Sequence, residues 1–209
     1  KGMQVSLGCV TSAPGAEWTN LSRDDNVFFL PPSASNDDIP KYSNGYQMCF
    51  ADGKQGKAAA EYVSKNFAGS TIGVFYKSDD NYSNGIYEQF KDNLSKDVKV
   101  IETVFTDAGD TSFDSQINKL KDCKFIFMPI YYQPASLFMT QAKGIIADDA
   151  IYYGCDGFDG IDSISGFDLN SIPQEVSMLS HFNSKATDGA AKEFIDKYVD
   201  KFGAETLNQ

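Results

Sequence analysis

The chain is poor in the groups on which catalysis is commonly built. It holds one histidine, His181, so a histidine-based triad has a single candidate. That residue follows an apolar run at a predicted strand end, where a structural or hinge role fits better than a general base. There is no G-x-S-x-G elbow, no lysine-bearing phosphate loop and no H-E-x-x-H pair. The four cysteines, Cys9, Cys49, Cys123 and Cys155, form no C-x-x-C pair, which argues against a zinc ribbon or a thioredoxin-like centre. Each lies in or beside an apolar run, so buried free thiols are expected, with one disulfide as the alternative. Bases are scarce: 18 Lys and Arg stand against 29 Asp and Glu, a formal charge of -11. That field repels phosphate backbones and anionic membrane faces, so no nucleic-acid partner is expected. No apolar run approaches the ~20 residues that span a bilayer. The opening Lys1-Gly2-Met3-Gln4 is not followed by the apolar stretch of a signal peptide, so the chain reads as a mature or trimmed piece.

What is present is a regular alternation. Hydrophobic residues make up 42% of the 209, enough to bury a core. From residue 49 onward, β-rich runs fall at Thr71 to Tyr76, Val98 to Phe105, Phe125 to Met128, Ile151 to Tyr153 and Val176 to Leu179. Between them lie Ala59/Tyr62/Val63, Ile86/Phe90/Leu94, Phe113/Ile117/Leu120 and Ala135/Phe138/Met139/Ala142, at helical spacing with one apolar stripe each. The runs are apolar throughout, as strands covered on both faces are. The fold class expected is therefore α/β: a doubly wound parallel sheet with helices on both faces. The ends differ. Residues 1–48 hold two strand candidates, Met3 to Val10 and Asn26 to Leu30, then a loop from Pro31 to Pro40. Ala190 to Phe202 predicts an amphipathic helix stopped by Gly203.

Two glycine-rich stretches carry weak signals. Gly154-Cys155-Asp156-Gly157-Phe158-Asp159-Gly160 misses the G-x-G-x-x-G spacing, and its acids would repel a pyrophosphate. Its acids also miss the spacing of a calcium loop, as does Asp79 to Gly85, which reads as a capped turn before a helix. Position says more. Ligands of open parallel sheets bind at the carboxyl ends of the strands. Tyr82 follows the strand at 71–76, Tyr131 and Tyr132 follow the strand at 125–128, and Asp156 follows the strand at 151–153. A carboxylate and two or three phenols at one sheet edge describe a cradle for a primary amine; the alternative is that the tyrosines merely cap the sheet.

Several segments, in order, resemble the leucine/isoleucine/valine-receptor class of type I periplasmic binding proteins. Gly8-Cys9-Val10-Thr11-Ser12 is similar to that family's "GPVSS" loop, and Phe29-Leu30-Pro31-Pro32-Ser33-Ala34-Ser35 to its "SPSAT" strand and loop. Tyr46 to Asp52 with Gln55 to Val63 resembles its inter-lobe crossing and the following helix. Ala108-Gly109-Asp110-Thr111-Ser112-Phe113 resembles "GDTDF", Tyr131-Tyr132 "YY", and Gly154 to Asp159 "GxDGWD". The resemblance implies two α/β lobes that close on a ligand. Thr11 with Ser33, Ala34 and Ser35 would hold an α-carboxylate, Asp156 an α-ammonium, and Tyr82 and Tyr131 would line the cleft. It implies no enzyme, no cofactor and no metal. It implies an extracytoplasmic solute-binding component of an ABC importer, periplasmic or lipid-tethered, with a membrane permease as partner and a branched-chain or similar neutral amino acid as ligand. The same fold also serves as the sensor domain of a receptor or regulator. Family members are longer, so residues 49–180 are expected to form a complete second lobe. Residues 1–48 and 181–209 would form only part of the first, with self-association of the truncated chain conceivable.

Overall fold

The computed structural model describes residues 2–106, 109 and 111–207. The chain opens with β1 (Val5–Leu7), α1 (Ser12–Ser22) and β2 (Phe28–Leu30), with β1 and β2 paired in parallel. A 3-10 turn at Ile39–Lys41 and an irregular segment lead into α2 (Asp52–Asn66). Then β3 (Thr71–Lys77), α3 (Asn81–Asn93), β4 (Lys99–Phe105), α4 (Asp114–Leu120), β5 (Phe125–Met128), α5 (Tyr132–Gln141), β6 (Ile151–Gly154) and β7 (Glu175–Met178) alternate, and α6 (Gly189–Phe202) closes the chain. The five later strands form one sheet in the order β4-β3-β5-β6-β7, every pair parallel. The order reverses between β3 and β5, the switch point where loops diverge and leave a crevice.

Strand alternation divides the aromatic core into two layers. On one face Phe75 of β3 meets Phe105, Phe113 and Phe138 at centroid distances of 5.1, 4.9 and 4.5 Å, and Phe138 meets Tyr152 edge-on. On the other, Tyr76 packs on Tyr87 of α3, Phe127 on Phe90, and Tyr153 stacks on Tyr62 of α2. Helices α4 and α5 thus cover one face and α2 and α3 the other, as the apolar strands demanded. Helices α2 and α3 approach closely because Gly56 has no side chain: a Cβ there would fall 2.3 Å from the Ile86 carbonyl oxygen.

Departures from the sequence reading have local causes. The edge strand β4 is half exposed rather than buried on both faces, because only β3 pairs with it. The first strand is shorter than Met3 to Val10, and its Val5 and Leu7 side chains are exposed. Helix α1 was not foreseen: its Pro14, Gly15 and scattered polar residues give no apolar stripe, and it buries small residues instead. Only Phe29, Ala34 and Ile39, with Trp18 against them, make the small cluster beneath it. Helix α6 forms as expected, with Lys192–Asp196 and Lys197–Glu193 pairs on its polar side, yet none of its residues is buried. All four cysteines are free; Cys123 and Cys155 are buried, while Cys9 and Cys49 are only half-buried. Ala108 and Asp110 of the "GDTDF"-like segment lie outside the described residues.

Phe75 is fully buried at the junction of three rings. Phe75→Ala is expected to cost about 3–5 kcal/mol, read as a lower urea midpoint at unchanged slope.

Candidate functional site

The crevice at the switch point is shaped by helix starts. Asp80 accepts a hydrogen bond from Ser83 N (3.0 Å) and so begins α3, which sets Tyr82 in the first turn beyond β3. Tyr131 occupies the N-cap of α5, just beyond β5. The two rings, from the strands flanking the reversal, stack at 4.6 Å with planes 20° apart. Beyond β6 the chain folds sharply back, since Gly154 lies where a Cβ would strike the Phe158 ring at 2.3 Å, and a 3-10 turn carries Asp156 to the same rim.

Asp156 is held from two directions. The Tyr82 hydroxyl donates to Asp156 Oδ1 at 2.6 Å and accepts from Gly157 N at 2.7 Å. Gly157 allows that approach: a Cβ there would sit 2.7 Å from the phenol oxygen. Gln55 Nε2 donates to the same Oδ1 at 2.7 Å, and Gln55 Oε1 accepts from Asp156 N at 3.0 Å. Burial, then the neighbouring Cys155 and Asp156, push the Tyr82 phenol well above its ordinary range, so it stays a donor. Burial likewise raises Tyr131.

Opposite stands the rim of the two-stranded unit. Thr11 occupies the N-cap of α1 without making a side-chain capping bond, which leaves its hydroxyl uncommitted to the helix. The amino end of α1 carries partial positive charge, a setting that favours an anion, although Pro14 supplies no N–H there and the Ser12 N–H interacts with the Tyr131 phenol. Ser12 Oγ accepts from Ser35 N (3.3 Å) and Asn36 N (3.1 Å), and Ser33 Oγ donates to the Val10 carbonyl (3.1 Å). These bonds brace the Ser33-Ala34-Ser35 loop against α1. They also commit the Ser35 N–H and the Ser33 hydroxyl, two donors that the sequence reading had assigned to a carboxylate.

Thr11, Ser33, Ala34, Ser35, Tyr82, Tyr131 and Asp156 all line one cavity of about 410 Å³. The structure adds Ser12, Gln133, Asp159 and His181 to that lining. His181 sits edge-on to Phe50 at 5.4 Å, so it packs as well as faces the cleft. Gln55 was also missed as a contributor to the site. It appeared in the sequence only as part of the crossing-and-helix resemblance, and nothing local links it to a loop 101 residues away. Among the described residues, no group of three or more His, Cys, Asp or Glu side chains is placed to hold a metal ion, and no helix is long and apolar enough to cross a membrane.

One turn before Gln55 lies a second acid. Asp52 opens α2 and its N–H donates to the Ser35 carbonyl at 2.8 Å. Its side chain is fully buried, and neither oxygen has a hydrogen-bond partner among the described residues. Burial pushes its carboxyl up to about 8; Ser35 opposes that shift without reaching bonding geometry, and Asp156, Asp37 and Asp80 reinforce it.

A family model described as a periplasmic binding protein matches residues 1–209. The leucine-, isoleucine-, valine-, threonine- and alanine-binding protein of Pseudomonas aeruginosa is 29% identical over 150 residues, covering 68% of this chain and 39% of that protein. Among solved structures, the leucine-binding protein LivK of Thermotoga maritima superposes with a TM-score of 0.79 at 23% identity, over 96% of this chain and 57% of that one. The branched-chain amino acid transporter substrate-binding protein LivJ of Streptococcus pneumoniae, solved with isoleucine, gives 0.77 at 27% identity over 95% and 57%. The chain thus spans about two-fifths of the length of that curated relative and 57% of each of these two solved ones.

The buried acid gives a test of the site's electrostatics. Asp52 keeps its proton in the folded chain to about pH 8, whereas an unfolded aspartate loses it near ~3.9. The folded state binds more protons between those values, so this residue's stabilising share is complete below the unfolded value and lost as pH rises toward the folded one. Denaturation of Asp52→Asn alongside the wild type from pH 5 to 8.5 should show the stability difference moving in the variant's favour, at up to ~1.4 kcal/mol per pH unit. A difference independent of pH would show that Asp52 is ionised throughout.

Proposed function

Given that the chain belongs to the periplasmic binding protein family, we propose that it binds a small neutral amino acid, branched-chain or similar, in the switch-point cavity and releases it unchanged. The observation that carries this reading is the asymmetry of Asp156. Oδ1 takes two donors, from Tyr82 and Gln55, while Oδ2 has no partner among the described residues on a side chain that lines the cavity. A carboxylate oxygen so placed is a ready acceptor for an ammonium group, and the pairing strengthens where water is excluded. The ligand's carboxylate lies against the amino end of α1 and the Thr11 hydroxyl, with Ala34 and Ser35 as the floor. The stacked phenols of Tyr82 and Tyr131 form the wall beside its α-carbon. A volume of about 410 Å³ accommodates a molecule of this size.

Opposed charges on a zwitterion bridge two separate parts of the chain: the segment around α1 and the carboxyl edge of the five-stranded sheet. Binding therefore favours whatever arrangement brings the two rims together. In this role the protein is the extracytoplasmic solute-binding component of an ABC importer, and it hands its ligand to a membrane permease.

Calorimetry with the common amino acids tests the reading. A neutral aliphatic amino acid should give the strongest heat, and Asp156→Asn should weaken it about ten-fold or more through loss of a charge-assisted pair. Unchanged affinity would remove Asp156 from the site. Tyr131→Ala should weaken binding more than Tyr132→Ala, because Tyr131 carries the stack on Tyr82; the reverse order would place the ligand against the other ring.

A further inference from the structure

Gln55 comes from neither rim of the cavity, yet it touches the acid at its centre. It lies in the first turn of α2, is buried, and reaches Asp156 across 101 residues of sequence. Its contact is reciprocal: Nε2 donates to Oδ1 at 2.7 Å while Oε1 accepts from the Asp156 N–H at 3.0 Å. Only one amide orientation satisfies both bonds. The reverse would set an amide oxygen against a carboxylate and an NH2 group against a backbone N–H. The side chain therefore grips both the backbone and the carboxylate of one residue, fixing rotation about the bonds between them.

We propose that Gln55 is a positioning residue that selects for the ligand's ammonium group, by turning the one Asp156 oxygen left without a donor into the cleft. The inference rests on the amino-acid reading above and sharpens it. Tyr82 and Gln55 both saturate Oδ1, so the carboxylate offers Oδ2, and the pair together define which oxygen that is. Tyr82, anchored by Gly157 N, holds Oδ1 from one side; Gln55 adds a second donor to Oδ1 from another direction and a bond to the Asp156 N–H itself, so the carboxylate is set against its own backbone. Without Gln55 the carboxylate would sample orientations in which neither oxygen meets the ammonium squarely, and a ligand with no amino group would lose nothing.

That difference is the test. Titration calorimetry on the 209-residue chain would use L-leucine and 4-methylpentanoate, which is leucine without its amino group. The wild type should prefer leucine. Gln55→Leu should weaken leucine about ten-fold and leave 4-methylpentanoate within about two-fold, and in an Asp156→Asn background the same change should add no further loss for leucine. Equal weakening of both ligands, or full additivity with Asp156→Asn, would overturn the proposal and reduce Gln55 to a packing residue. A wild type that binds 4-methylpentanoate as well as leucine would overturn the ammonium reading of Asp156, and the proposal with it. Should neither ligand bind, the amino-acid reading fails and the proposal with it. Should Gln55→Leu not fold, hydrogen exchange of the Gln55 side-chain amide with and without leucine decides: slow exchange that Asp156→Ala makes fast and leucine slows further supports the proposal, and fast exchange in the wild type or no effect of leucine overturns it.

Discussion

The organisation of this molecule turns on a carboxylate held by one oxygen. Asp156 stands at the carboxyl edge of a parallel sheet, where the sheet's own strands end and solvent would otherwise enter. Two neutral donors converge on Oδ1, and one of them, Tyr82, is itself fixed by a bond from Gly157 N. Burying a carboxylate near apolar rings is costly unless its lone pairs are met. Here the protein meets Oδ1 twice, and Oδ2 has no hydrogen-bond partner among the described residues on a side chain that lines the cavity. The packing that surrounds it serves this arrangement: Gly157 must be bare for the phenol to approach, and Gly154 must be bare for the turn to fold back.

The reversal of strand order explains why these groups meet at all. Strands β3 and β5 send their connections to opposite faces of the sheet, so the first residues after each diverge and leave room between them. Tyr82 and Tyr131 come from those two connections, and their stack lines the resulting crevice rather than filling it. The aromatic layers on either side of the sheet make this frame stiff. Precision at the rim comes from the density of rings below it.

Much of this was legible in the sequence because the signals were periodic. Five apolar runs separated by helical stripes specify a doubly wound sheet, and the rule that loops at strand ends carry function then places Tyr82, Tyr131 and Asp156 together. What could not be read depended on single long-range contacts or on weak patterns. Helix α1 has no apolar stripe because it covers a small cluster with Ser, Gly and Thr, so its amino end was invisible as an anion-favouring feature. Gln55 sits on a helix whose apolar face is explained by other residues, and only the folded chain shows that its amide leaves that helix for a distant loop. The Ser12 bonds to the Ser35 and Asn36 N–H groups are of the same kind: they are local in space, and 23 and 24 residues apart in sequence.

The first turn of α2 joins these themes. Asp52 and Gln55 are one helical turn apart, both buried, and they are treated oppositely by their surroundings. Gln55 has both polar ends bonded, whereas the Asp52 carboxyl has no hydrogen-bond partner among the described residues and lies near three other acids, Asp156, Asp37 and Asp80. Burying a second charge there would repel the one on Asp156. Desolvation avoids this by favouring a neutral acid at Asp52. A helix start that bonds the Ser35 carbonyl on one side and the Asp156 loop on the other connects both rims.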